Sequence, residues 1–205
     1  MSSITAILLA AGLSRRFGTE NKLLVELNGT PMVRRTASCL CDSKAERVIV
    51  VLGHEADQVD AALDGLPLET IRNPSYRDGQ VTSVRAGLEA VDDDAVGIMM
   101  CLSDQPLLNA TDYDVLIDAF LDQPTRVVVP FLSGKRGNPV VLPAALRHDI
   151  LSGGMNVGCR SFIDRHPDLV LPVEVSNPAY RADFDTPEAL AAHGGHPAGG
   201  AASAH

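Results

Sequence analysis

Short apolar runs alternate with helical patterns over most of this 205-residue chain, which restricts it to one broad class of fold. Ile4 to Leu9, Arg47 to Leu52, Leu68 to Arg72, Val96 to Leu102 and Arg126 to Phe131 are brief and rich in Val, Ile and Leu. That is the pattern of strands covered on both faces. Between them, Pro31 to Cys41, Glu55 to Leu63, Val81 to Val91 and Thr111 to Leu121 read as helices. Three carry start signals: Pro31 in a first turn after Thr30, Thr82 or Ser83 as a cap, and Thr111 with nearby acids in "NATDYD". Strand, helix and strand in series predict an α/β fold with a single Rossmann-like, mostly parallel sheet and helices on both faces.

The later sequence changes character. "GKRGNPVVLP" (134 to 143) reads as a turn into a strand, "NVGCRSFIDRHP" (156 to 167) as a short helix, and "LVLPVEVS" (169 to 176) as a strand that Pro172 pushes toward an edge. This predicts a small β/α elaboration at the edge of the sheet rather than a second domain. The expected organisation is one domain over residues 1–192 and a disordered Gly/Ala/His tail over 193–205.

Charge narrows the class of partner. The chain carries a net charge of -9, yet residues 1–50 hold seven Lys or Arg against four Asp or Glu. Such a distribution repels a long polyanion over most of the surface and leaves one place for a compact one, so no nucleic-acid partner is expected. With only 4% aromatic residues and no Trp, a base-stacking surface is also disfavoured. Cys39, Cys41, Cys101 and Cys159 lack zinc-site spacing and disulfide density, which fits reduced thiols in the cytoplasm. No signal peptide or membrane span is expected.

The basic residues of the first segment gather in "ILLAAGLSRRFGTENK" (7 to 22). In an open parallel sheet the loop after the first strand is the usual place for phosphates. Ala10, Ala11 and Gly12 remove bulk so that backbone N–H groups can approach an anion, and Arg16 and Lys22 supply positive charge. The spacing is neither that of a Walker loop nor that of the dinucleotide fingerprint. It reads L-A-A-G-x-x-x-R-x-G-x-x-x-K, with Gly12, Arg16, Gly18 and Lys22 at the fixed places.

This segment resembles the signature of the molybdenum cofactor nucleotidyltransferases, the MobA-like NTP transferases, which are similar to sugar-phosphate and methylerythritol-phosphate cytidylyltransferases. The resemblance continues through "NPSYRDGQVTSVRAGLEAV" (73 to 91), "CLSDQPLL" (101 to 108), "GKRGNPVVL" (134 to 142) and "ADFDTPEAL" (182 to 190), and spans roughly Ile4 to Ala192. Closest in pattern is the molybdenum cofactor cytidylyltransferase branch. The resemblance implies a nucleotide-diphospho-sugar transferase-like fold and transfer of a nucleoside monophosphate from an NTP to a phosphorylated acceptor, with release of pyrophosphate. It also implies a molybdopterin-type acceptor and a molybdenum hydroxylase as client for the product. A GTP-using guanylyltransferase, a sugar-phosphate nucleotidyltransferase and a non-catalytic carrier of a finished dinucleotide cofactor are the alternatives.

The resemblance assigns nucleotide contacts to Leu9, Ala10, Ala11, Gly12, Arg16, Lys22, Asn73, Gly79, Ser83 and Asp104, with Arg16, Lys22 and Asp104 catalytic. Asp104 follows an apolar strand and is too early to cap the helix near Thr111, which leaves it available for Mg2+. Asp185 is the second expected ligand, with Asp183 the alternative, although Asp185 also suits a helix start beside Pro187. Gly137, Asn138 and Arg160 are assigned to the acceptor. Two departures from the cytidylyltransferase pattern stand out: "SDQP" replaces the commoner "GDQP", and the glycine turn at 153–158 is longer and less acidic. "LAAG" is the form typical of pyrimidine-using relatives, whereas guanylyltransferases carry "LAGG", so Ala11 favours CTP.

Overall fold

The computed structural model describes residues 3–14, 21–152, 159–182, 184 and 195–196. Five strands carry most of the sheet: β1 (Ile4–Ala10), β4 (Arg47–Leu52), β5 (Glu69–Arg72), β6 (Gly97–Leu102) and β7 (Val127–Leu132). Two very short strands, β2 (Glu26–Leu27) and β3 (Thr30–Pro31), precede β4, and β8 (Lys135–Arg136), β9 (Val140–Pro143) and β10 (Val170–Glu174) follow β7. The helices are α1 (Met32–Cys41), α2 (Ala56–Ala62), α3 (Gln80–Glu89), α4 (Ala110–Asp122), α5 (Arg147–Ser152) and α6 (Cys159–Arg165).

Among the described residues, eight strands form one sheet in the order β10-β7-β9-β6-β1-β4-β5, with β8 paired to β7. β6, β1, β4 and β5 run parallel, as does β10 beside β7, while β9 runs antiparallel between β6 and β7. The expected mostly parallel sheet is therefore present, and Pro172 lies on the edge strand β10.

Alternate side chains of β1 separate two apolar layers. Ala6, Leu8 and Ala10 join Met32, Leu40, Leu116 and Phe120 on one face. Ile7 and Leu9 join Val84, Leu88, Phe162 and Ile163 on the other. Seven consecutive buried residues in β1 show why its sequence is apolar without alternation.

Helix starts differ from the sequence expectation. α1 begins at Met32, with Pro31 in the capping position. Gly79 caps α3, because the hydroxyls of Thr82 and Ser83 instead accept hydrogen bonds from Asn73 Nδ2, both at 2.9 Å. Asn109, rather than Thr111, caps α4 and forms a reciprocal capping box with Asp112. The helix expected over 156–167 is described from Cys159, and the turn before β9 contains a cis Asn138–Pro139 peptide.

A small second sheet lies beside the first loop. β2 and β3 are joined by Asn28 and Gly29, both at positive φ, which is the geometry of a two-residue hairpin turn. From the segment expected to form a tail, Gly195–His196 (β11) pairs antiparallel with Leu27 and Glu26. Among the described residues, no helix is long and apolar enough to cross a membrane.

Candidate active site

β1 and β6 are adjacent and parallel, with Leu9 opposite Leu102. The connection leaving β1 leads toward β4, whereas that leaving β6 leads toward β7 on the opposite side of the sheet. A crevice therefore opens at the carboxyl ends of β1 and β6, where open α/β sheets bind ligands. Ser103 ties the two strand exits together by donating its hydroxyl to the Leu9 carbonyl at 2.7 Å.

A local network returns the chain to this crevice. Ser14, at φ 48°, accepts the Lys22 N–H at 3.2 Å and donates its hydroxyl to Asn21 Oδ1 at 3.3 Å. Asn21 Oδ1 also accepts the Leu23 N–H at 3.1 Å and so caps the short turn Lys22–Leu24. Lys22 thereby reaches Asp104, with Nζ 2.8 Å from Oδ2. The two side chains are only 15% and 20% exposed, so their attraction is less screened than that of a surface pair.

Asp104 makes two further features of the site. Its Oδ1 is buried and has no hydrogen-bond partner among the described residues, which is costly for a carboxylate unless a cation or donor arrives. Its backbone carbonyl accepts the N–H of Phe184 at 3.1 Å. Phe184, which stands between Asp183 and Asp185 in sequence, thus meets Asp104 through its own backbone N–H. Asp183 and Asp185 themselves lie outside the described residues, as do Arg16 and Gly18. Among the described residues no group of three or more His, Cys, Asp or Glu is arranged to hold a metal ion.

Two adjoining cavities occupy the crevice. The smaller, about 150 Å³, is lined by Ala11, Gly12, Ser14, Lys22, Ser83 and Asp104, with Tyr76, Gln80 and Ser103 completing its polar surface. An added Cβ on Gly12 would meet no atom of the described residues within 4 Å, so among them neither packing nor a positive φ accounts for glycine there.

The larger cavity, about 580 Å³, shares Leu9, Gln80 and Leu102 with the smaller. Val84, Met100, Val129, Val140 and Ile163 supply apolar walls. Arg136, Arg160 and Arg181 also line it, and among the described residues no Asp or Glu does. In a chain with 26 acidic and 17 basic residues, that bias gives the cavity positive groups around an apolar interior, chemistry suited to an anion. Gly137 and Asn138 form part of its wall, held by Gly137 N–H to the Pro130 carbonyl at 2.8 Å and Asn138 N–H to the Tyr180 carbonyl at 2.9 Å. Cys159 also borders it, and burial pushes that thiol up to about 12.

The structure thus brings together Leu9, Ala11, Gly12, Lys22, Ser83 and Asp104 on one cavity, and Gly137, Asn138 and Arg160 on its neighbour. Ala10 instead packs in the core on the α1 face. Asn73 is 4% exposed, and its amide is spent internally on Thr82, Ser83 and the Ser75 N–H, so it positions Ser83 instead of lining either cavity. Gly79, at φ 113°, turns the chain into α3. Ser14, Tyr76, Gln80, Ser103 and Arg181 were not singled out by sequence. Tyr76 and Gln80 fall inside the quoted "NPSYRDGQVTS" stretch, which was the available signal.

The MobA-like NTP transferase domain matches residues 6–170. The chain belongs to the MobA-like NTP transferase family. The nicotine blue oxidoreductase of Paenarthrobacter nicotinovorans is 29% identical over 195 residues, covering 91% of this chain and 94% of that protein. The bifunctional protein GlmU of Sorangium cellulosum is 30% identical over 186 residues, covering 87% of this chain but only 38% of GlmU. Among solved structures, Rv0371c from Mycobacterium tuberculosis superposes with a TM-score of 0.78 at 24% identity over 94% of this chain and 98% of that one. Its complex with manganese gives 0.71 at 22% identity, with the same coverage. The MobA-like NTP transferase chain therefore has the nucleotidyltransferase fold, and nucleotidyl transfer is the activity class that family membership supports.

Proposed function

We propose that this family member transfers the nucleoside monophosphate of CTP to a phosphorylated, molybdopterin-type acceptor. An acceptor phosphate oxygen forms a bond to the α-phosphorus, the bond from that phosphorus to the β-phosphate bridging oxygen breaks, and pyrophosphate leaves with the bonding electrons. Both reactants are anions, so neutralisation and alignment matter more than proton transfer.

The observation that carries this reading is the meeting of Lys22 and Asp104 at 2.8 Å beside the Gly12 turn, next to a cavity lined, among the described residues, by three arginines and no carboxylate. Lys22 neutralises phosphate charge as the leaving group departs, and Arg16 is assigned the same task. The Gly12 turn holds the triphosphate. Gly137 and Asn138 shape the neighbouring wall, where Arg160 anchors the acceptor phosphate.

A magnesium ion fits the donor set: the unpartnered Asp104 Oδ1 supplies a hard anionic oxygen, with Asp185 as the second proposed ligand. Bound there, the ion would screen the phosphate oxygens and favour attack at phosphorus. The manganese complex of the structural neighbour Rv0371c supports a divalent-cation site in this fold. The site serves an enzyme of the cytoplasm whose product passes to a molybdenum hydroxylase client.

The test is pyrophosphate release from CTP and, separately, GTP, with purified molybdopterin and magnesium. Turnover with CTP is expected, and it disappears in Asp104→Asn. Turnover with GTP assigns the guanylyltransferase alternative, and turnover only with sugar phosphates changes the acceptor. Tight dinucleotide binding without turnover identifies a carrier.

A second reading follows from the end-to-end relative named an oxidoreductase. The large, partly apolar cavity would then take an oxidisable or reducible organic molecule. Oxidation of reduced nicotinamide dinucleotide with a dye acceptor, in the absence of any pyrophosphate release, would establish that reading instead.

A further inference from the structure

The exit of β4 abuts the first loop at a point with no spare room. At Gly53, an added Cβ would stand 2.7 Å from Ala11 Cβ, 2.7 Å from Tyr76 Cβ and 2.8 Å from the Ala11 carbonyl oxygen. Gly53 has no positive φ, so its backbone conformation is open to any residue and only the close approach requires glycine. The adjacent His54 N–H donates to the Ala11 carbonyl at 3.4 Å, which pins the two segments together.

Ala11 and Tyr76 both line the smaller cavity, whereas Gly53 lies behind them and does not. Ala11 is 4% exposed, so it has little freedom to yield backward. Tyr76 is held from its own side by Arg77, whose guanidinium carbon lies 5.6 Å from the ring centroid, and by His54, with ring centroids 6.3 Å apart. A Cβ at residue 53 therefore requires a shift of Ala11, Tyr76 or residue 53 itself, and two of these three line the cavity.

We propose that Gly53 is a positioning residue for nucleotide choice, setting the depth of the wall formed by Ala11 and Tyr76. This rests on the reading of the smaller cavity as a nucleotide site. Two side chains from different segments form one wall, and a single residue behind both sets their distance from the ligand. Specificity then belongs to three positions, and the methyl group of Ala11 is only one component. Moving the methyl group from 11 to 53 relieves the contact with Ala11 Cβ but leaves those with Tyr76 Cβ at 2.7 Å and the Ala11 carbonyl oxygen at 2.8 Å.

The experiment measures binding of magnesium-CTP and magnesium-GTP by titration calorimetry, alongside thermal melting, for the native protein, Gly53→Ala and the exchange variant Ala11→Gly with Gly53→Ala. Gly53→Ala is expected to weaken CTP binding about tenfold and GTP binding more, because the wall advances on the larger base first. The exchange, which removes one of the three close contacts, is expected to bind CTP about threefold more tightly than Gly53→Ala while remaining weaker than native. Native affinities and an unchanged CTP-to-GTP ratio in a folded Gly53→Ala overturn the proposal. Failure of the exchange to recover binding, or to fold, makes Gly53 a packing residue and also overturns it. If the native protein binds neither nucleotide, the nucleotide reading itself falls and this inference with it.

Discussion

Lys22 Nζ lies 2.8 Å from Asp104 Oδ2, although 82 residues separate the two in sequence. The contact joins the basic first loop to the acidic exit of β6 and leaves the second Asp104 oxygen unpartnered. Replacing Lys22 by Ala, or Asp104 by Asn, should lower magnesium-dependent pyrophosphate release by about a hundredfold or more, the scale of losing one electrostatic contact to developing charge. Lys22→Ala should also cost about 1–3 kcal/mol of stability by removing the partner of a largely buried carboxylate. Parallel melting curves separate the two effects, and full activity in a folded Asp104→Asn would refute the assignment.

Ala11 faces the smaller cavity through a side chain that is nearly buried. Ala11→Gly should lower the preference for CTP over GTP by about tenfold, as expected when a small apolar group is deleted from a specificity wall. The ratio of kcat/KM for the two nucleotides is the measurement. An unchanged ratio counts against a steric origin of base choice.

Arg160 and Arg181 enter the larger cavity from different segments. Each change to Ala should raise the acceptor KM about tenfold or more, in keeping with loss of a charge-assisted hydrogen bond. CTP affinity should remain native. Steady-state kinetics with varied acceptor and saturating CTP test this, and a selective loss of CTP affinity would place the arginines on the nucleotide instead.

Asn73 holds the start of α3 through two donated hydrogen bonds and one accepted from Ser75. Asn73→Ala should destabilise the protein by about 1–3 kcal/mol, because buried Ser83 and half-buried Thr82 lose a donor and the Ser75 N–H loses its acceptor. Urea denaturation measures the change. Nucleotide KM should rise at the same time, since Ser83 lines the cavity.

Burial raises the thiols of Cys101 and Cys159, the latter from 9.0 to about 12. In the unfolded chain these thiols ionise near their ordinary value, so between pH 9 and about 12 the folded chain binds more protons. Their contribution is fully present below pH 9 and declines as pH rises through that window. Melting temperature should fall across it, and the decline should shrink in Cys159→Ala when each variant is compared with its own value at pH 8. At neutral pH a thiol reagent should spare Cys101 and Cys159 until denaturant is added.

The sheet, its two covered faces and the strand before Asp104 were legible because buried parallel strands need uninterrupted apolar runs, and the long helices needed their own spacing. The direction of β9 was not legible: "VVLP" is equally apolar whichever way it runs, and the reversal shows only in the register, with Gly97 opposite Pro143 and Met100 opposite Val140. The β2–β3 hairpin had a signal in Asn28–Gly29, but strands of two residues hold too little pattern to announce themselves.

At the site, Lys22 was signalled by the G-x-x-x-R-x-G-x-x-x-K spacing and Asp104 by its place directly after an apolar strand. Ser14, Tyr76 and Arg181 were not, because their roles depend on neighbours brought in by folding. The cap of α3 illustrates the same limit. Thr82 and Ser83 are good capping residues in isolation, yet Asn73 takes both hydroxyls and leaves Gly79 to turn the chain.

Because β9 runs against its neighbours, the hairpin that enters it, and not a crossover that leaves it, reaches the rim shared with the Gly12 turn. A hairpin can lengthen, shorten or change composition without rerouting the strands on either side. On the proposed reading, the acceptor side at Arg136, Gly137 and Asn138 can therefore vary while the loop around Lys22 stays fixed, so that one half of the site is interchangeable and the other is inherited whole.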